Sequence, residues 1–211
     1  MSSRYANKHK RCPNCRINPN LCFCSELKVR DNATPVLIVM HKAELELTTN
    51  TAYFASKVLS KCELAIRGVK DSPIDFDSLV DETKYTPLFL FPDEDAKELS
   101  PEFLDTLELP PLIIVPDGSW KQAKKCKKRE PFLKDVQSVK LKAGELSKYR
   151  LRTNPFPEAV CTYEAVARAV GTIEGEGIQS SLEETFEVIT DRMFYSRSGL
   201  AKLDDLSKFK G

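Results

Sequence analysis

The 211-residue sequence predicts an α/β fold on a mostly parallel sheet flanked by helices, with a small metal-binding segment at its N-terminal end. Three observations carry this. Short apolar runs recur between residues 35 and 141, segments of helical period separate them, and four of the seven cysteines crowd into residues 12–24.

The runs at residues 35–41 (PVLIVMH), 63–69 (ELAIRGV), 87–91 (PLFLF), 112–116 (LIIVP) and 136–141 (VQSVKL) read as strands, most of them buried on both faces. Helices fit residues 49–60, 120–129 and 163–173. In the last of these Tyr163, Val166, Ala167, Val170 and Ile173 share a face, and Thr162 is placed to cap the N-terminus. A final helix over residues 182–194 would bury Leu182, Phe186, Ile189 and Met193. Residues 70–87 and 142–160 read as connections, the second long enough to suggest function. No internal repeat or low-complexity segment is present, and no G-x-G-x-x-G follows a strand.

The N-terminal stretch RCPNCRINPNLCFC has the spacing C-x2-C-x6-C-x-C at Cys12, Cys15, Cys22 and Cys24. Its prolines and asparagines make turns, which disfavours the helix that a thioredoxin-type pair opens. Four thiolates at this spacing can close a tetrahedron around zinc and order a segment that has almost no core of its own. An iron–sulfur or redox role is the alternative. Cys62, Cys126 and Cys161 are scattered and read as small, partly buried side chains. Residues 1–11 are polar and basic, and no apolar run approaches the roughly 18 residues of a spanning helix. The chain is therefore expected to be soluble, cytoplasmic and free of the membrane, with its thiols reduced.

A net charge of +1 conceals segregation. Residues 1–30 hold seven Lys/Arg against one Glu, residues 121–152 hold twelve against three acids, and residues 71–108 hold twelve acids against two Lys. The acidic block reads as a solvated face. In the second basic block, a helix beginning at Trp120 would put Lys121, Lys124, Lys125 and Lys128 on one stripe, beside the basic cysteine segment. Such a stripe suits a polyphosphate partner, because neutralising phosphates releases counterions.

In an open α/β sheet the ligand site belongs at the carboxyl ends of the strands. Three clusters fall there: His41 and Glu44 with Thr48–Thr51, then Asp117-Gly118-Ser119-Trp120, then Ser147-Lys148-Tyr149-Arg150-Leu151-Arg152. Taken singly, His41 reads as a hydrogen-bonded structural group, Thr49 and Asn50 as a helix cap, and Trp120 as core. Their coincidence at strand ends beside a basic stripe reads as one site.

The ordered set of these motifs, ending in Thr162-Tyr163-Glu164-Ala165, resembles the DTW-domain family over nearly the whole chain. Ser119 replaces the threonine of the family's Asp-Thr-Trp motif and keeps the hydroxyl. The resemblance implies a tRNA-uridine aminocarboxypropyltransferase that uses S-adenosylmethionine to modify N3 of a uridine. It also implies a SPOUT-like domain over residues 33–211 with a C-terminal trefoil knot, preceded by a zinc-binding segment over residues 1–32. Under it, Asp117, Ser119 and Trp120 form the reacting centre, with Asp117 as base. Thr49, Asn50, Thr51, Gly118, Tyr149, Arg150, Leu151, Arg152, Thr162 and Glu164 surround S-adenosylmethionine. His41, Glu44, Lys121, Lys124, Lys125 and Lys128 face the RNA, and the four clustered cysteines hold structural zinc. A SPOUT-type RNA methyltransferase and a non-catalytic zinc-containing RNA-binding module remain as alternatives, since fold alone does not determine the reaction.

Overall fold

The computed structural model describes residues 11–144, 146–149, 151 and 159–198. Arg150 and Arg152, read as cofactor ligands, lie outside the described residues.

Among the described residues six strands form one parallel sheet: β1 (Val36–His41), β2 (Cys62–Arg67), β3 (Thr86–Leu90), β4 (Lys97–Glu98), β5 (Pro111–Asp117) and β6 (Gln137–Lys140), in the order β2-β1-β5-β3-β6-β4. Successive side chains of the central strands enter opposite cores, which is why their sequences are apolar throughout. Val36, Ile38 and Met40 of β1 and Ile113 and Val115 of β5 pack into one core, while Leu37, Val39 and Ile114 pack into the other.

On the first face lie α1 (Ala52–Val58), α5 (Thr162–Glu174) and α6 (Glu176–Arg197). The α5–α6 corner turns at Gly175, whose φ of 108° is strained for any side chain, and a Cβ at Gly171 would run into Gln179 across the pair. On the second face lie α2 (Phe76–Leu79) and α4 (Trp120–Arg129), with Ala123 and Cys126 of α4 turned inward. A short α3 (Pro101–Leu104) starts from Ser100, whose hydroxyl accepts the Phe103 N–H.

The cysteine segment is packed onto the first face rather than hanging free. Cys15, Ile17, Leu21 and Phe23 belong to the same core as β1 and α1, with the Phe23 and Phe54 rings 5.3 Å apart. Arg30 then latches the segment to α6 through Ser181 and Thr185.

All five anticipated strands form, and β4, two exposed residues at the sheet edge, joins them. Thr162 is not the cap of α5: Cys161 is, and Thr162 is the first helical residue, its hydroxyl engaged elsewhere. The lysine stripe does not lie beside the cysteine segment, because α4 and that segment pack on opposite faces of the sheet. No helix among the described residues is long and apolar enough to cross a membrane.

Candidate active site at the carboxyl edge of the sheet

Parallel pairing places Met40 beside Asp117 and His41 beside Arg67, so the ends of β5, β1 and β2 meet at one edge. Asp117 is buried, 3% exposed, with each carboxylate oxygen held: Oδ1 accepts from the Thr162 hydroxyl at 2.6 Å and Oδ2 from the Asn50 amide at 2.7 Å. The same Asn50 amide reaches the buried Glu44 at 3.4 Å, while Asn50 Oδ1 accepts the Tyr53 N–H and caps the first turn of α1. One carboxylate thus ties the loop after β1 to the start of α5. Glu44, read as facing RNA, sits inside this network. Thr51, also buried, precedes α1.

His41 lies on the other side of the Asp117–Trp120 turn. Its Nδ1 accepts from the Ala43 N–H at 3.2 Å and lies 3.0 Å from Gln122 Nε2. Gln122 Oε1 accepts the Ser119 N–H and Ser119 Oγ accepts the Gln122 N–H, a reciprocal capping box that starts α4. With its oxygen taken, the Gln122 amide must donate to His41, which leaves the ring neutral with its proton on Nε2. Burial, and next the Arg67 charge, lower the His41 pKa from its ordinary value, in the same direction. Gln122 was not anticipated, although Ser-x-x-Gln at a helix start signals it.

Glu164, 3% exposed, accepts three hydrogen bonds: Ser147 Oγ at 2.6 Å, Lys148 N–H at 2.7 Å and Cys161 N–H at 3.0 Å. It seats the 146–149 segment against α5. Tyr149, also buried, then donates its hydroxyl to the Thr49 carbonyl at 2.8 Å and joins that segment to the loop before α1. Leu151 packs against the same core.

Between these braces opens a cavity of about 720 Å³ at the ends of β3, β5 and β6. Leu90, Phe91, Val115, Trp120, Val139 and Leu141 give it apolar walls; Gly118, Ser119, Thr162, Tyr149, Lys140 and Arg168 bring polar groups. That is a small-molecule site in size and character. Pro116 and Gly118, on either side of Asp117, both line it. The Trp120 ring leans on Phe91 with centroids 5.5 Å apart. Phe91, expected only as part of a strand, and Arg168 are further residues of the cavity wall, and Thr162, Ala165 and Arg168 recur every third residue of α5 and mark its cavity face.

Lys121, Lys124, Lys125 and Lys128 are all exposed on α4, as their register requires. Lys127 instead turns back to the sheet and donates to Ser138.

The four clustered thiols form a second site. All four Sγ atoms lie within 4.8 Å of one another, with Cys12–Cys24 and Cys15–Cys22 at 3.6 Å and Cys12–Cys22 at 3.7 Å. A tetrahedron of sulfurs about 2.3 Å from a zinc ion has edges of about 3.8 Å. The donor set therefore fits such an ion, and the Cys15 backbone N–H leads the effects that bring the Cys12 thiol down to about 6.

Fold and site together define a parallel α/β protein with a small-molecule cavity at the carboxyl edge of its sheet and a four-thiol centre packed on one face. The chain belongs to the DTW domain family, whose model matches residues 9–194. It is 27% identical over 175 residues to tRNA-uridine aminocarboxypropyltransferase 2 of Drosophila melanogaster, covering 80% of this chain and 68% of the relative. Against the protein of the same name from Mus musculus it is 26% identical over 176 residues, covering 81% of this chain and 58% of the relative. No solved structure matches the chain.

Proposed function

We propose that this protein transfers the 3-amino-3-carboxypropyl group of S-adenosylmethionine to N3 of a uridine in tRNA, in the cytoplasm, releasing methylthioadenosine. The observation that carries the reading is the cavity whose wall is the Gly118-Ser119-Trp120 turn, in a chain of the DTW family. In the reaction N3–H gives its proton to a base, N3 bonds to the γ-carbon of the methionyl chain, and the C–S electron pair returns to sulfur. The leaving group departs neutral and needs no acid, so positioning and charge placement remain as the protein's tasks.

Asp117 is the proposed base, held by Asn50 and Thr162 next to the cavity wall. Trp120 offers a stacking face, Arg150 or Arg152 a bidentate clamp for the methionyl carboxylate, and the α4 lysines an RNA track. The four-thiol centre holds zinc structurally. The domain is inferred, from its family relationship, to be SPOUT-like with a C-terminal trefoil knot; an experimental structure whose C-terminal chain threads no loop would overturn that part.

Mass analysis of tRNA nucleosides after incubation with S-adenosylmethionine tests the reaction. The aminocarboxypropyl adduct with methylthioadenosine is the expected result. A methylated nucleoside with S-adenosylhomocysteine means a methyltransferase, and tRNA binding without product means a binding module.

Two further outcomes are expected. Elemental analysis should find about one zinc per chain; folded, metal-free protein with unchanged tRNA affinity would remove the metal's role. Replacing Lys121, Lys124 and Lys125 together by Gln should weaken tRNA binding and flatten its dependence on salt, leaving S-adenosylmethionine affinity at the parental value. An equal loss of cofactor binding would place those lysines in the cavity's support instead.

A further inference from the structure

The loop between β1 and α1, residues 42–50, carries Glu44 and Asn50, the partners that frame Asp117. Its own apolar side chains do little to hold it, since Leu45 and Leu47 are 38% and 41% exposed. Its anchors are polar. Thr49 is held by Tyr149 and Asn50 by Asp117, while the middle of the loop is held from the cysteine segment: Arg16 Nη1 donates to the Leu45 carbonyl at 3.1 Å.

Arg16 has an unusual seat for this. It lies between Cys15 and Ile17 with φ of 63°, in a turn closed by Cys12 N–H to the Ile17 carbonyl and Arg16 N–H to the Cys12 carbonyl. A left-handed arginine is strained and persists only where the surrounding structure holds it. Two thiols of the four-sulfur centre, Cys12 and Cys15, lie within this turn. From there the guanidinium lies 3.6 Å over the Tyr53 ring, and the Tyr53 N–H is the group that Asn50 caps. One contact of this side chain is therefore on the loop itself, and the other is on the residue whose N–H Asn50 holds.

We propose that Arg16 is a positioning residue that ties the metal-binding segment to the loop framing Asp117, so that filling the four-thiol centre orders the candidate active site as well as the segment itself. The part of this that concerns S-adenosylmethionine rests on the function proposed above; the ordering of the loop does not.

The test uses the full chain loaded with zinc. Hydrogen exchange of the 42–50 amides and calorimetric titration with S-adenosylmethionine are compared for the parent, Arg16→Ala and Arg16→Lys, before and after removal of the metal with a chelator. Amides of β3 and β5 serve as the internal reference, and elemental analysis follows the zinc. Arg16→Ala should keep its zinc and its reference amides, exchange the 42–50 amides about ten-fold faster and bind S-adenosylmethionine about ten-fold more weakly, the scale of one charge-assisted hydrogen bond. Arg16→Lys, which keeps a cation over Tyr53 without the planar fork, should fall between. Stripping zinc from the parent should loosen the loop as Arg16→Ala does, and stripping it from Arg16→Ala should add little there. Parental exchange in zinc-loaded Arg16→Ala overturns the proposal, as does a stripped parent whose loop amides keep the loaded rate or whose reference amides loosen equally. Should Arg16→Ala fail to fold, Tyr53→Leu, which removes the ring beneath the guanidinium, carries the same comparison. A parent that binds no S-adenosylmethionine refutes the proposed function and leaves the exchange measurements to decide this one.

Discussion

Glu164→Ala should destabilise the fold by about 3–5 kcal/mol, because three donors lose their acceptor at about 1–3 kcal/mol for each one left buried and unsatisfied. Three donors, Ser147 Oγ, Lys148 N–H and Cys161 N–H, lose their common acceptor, and two of them are backbone groups that cannot turn away. A domain whose total stability is about 5–15 kcal/mol loses a large share in such a change. In urea the midpoint should fall with the slope unchanged, provided the native state stays compact. The 146–149 segment should loosen with it, and Tyr149, which lines the cavity and holds Thr49, should follow. Glu164→Gln should cost less, because one amide oxygen can still accept and the Ser147 hydroxyl can reverse its role. An unfolding free energy for Glu164→Ala within about 0.5 kcal/mol of the parent's, the size of an ordinary surface change, would show that the segment is seated by packing alone.

The central strands β1, β5 and β3 were legible because burial on both faces demands an apolar composition, while β2 and β6, which carry Glu63 and Gln137, show that signal only in part. Lys97 and Glu98 of β4 carry no such signal: both are exposed, and the edge strand exists through its pairing with β6. The helix α6 begins at Glu176, six residues ahead of its first fully buried position, Leu182, so apolar period alone started it late. In α3 a signal was present, Ser100 followed by Pro101, in a segment otherwise acidic and short.

At the candidate site the residue types were legible and their wiring was not. Asp117, Asn50 and Thr162 are 67 and 45 residues apart in the pairs that bond, and they meet only because β1 lies beside β5 in the sheet and α5 packs on the same face as α1. The same limit misplaced the lysine stripe relative to the cysteine segment, since helical register tells which residues share a face of α4 and nothing about which face of the sheet α4 covers. Glu164 was read among the cofactor ligands. A buried carboxylate three residues after the cap of its own helix, with three donors already on it, works first as a brace.

Asp117→Asn should lower the rate of transfer by roughly 10²-fold or more, the loss expected when general-base assistance is removed, while both S-adenosylmethionine and tRNA still bind. The substitution is nearly isosteric, and the network can absorb it: the amide oxygen can accept from Asn50, and the amide nitrogen can donate to the Thr162 hydroxyl, which then reverses from donor to acceptor. Geometry should survive and basicity should not, which separates this change from Asp117→Ala, where two buried partners would be stranded. Because N3 can also lose its proton to hydroxide, raising the pH should restore the variant in part, with a steeper slope than the parent's. Single-turnover transfer from about pH 6 to 10, a window that lies above the ordinary carboxylate range and takes in the uracil titration, reads both effects. A variant with the parental rate and slope excludes Asp117 as the base. A variant that loses S-adenosylmethionine affinity in step with rate assigns the carboxylate to holding Asn50 and Thr162 around the cavity, and moves the search for the base to Glu44, already within reach of the same Asn50 amide.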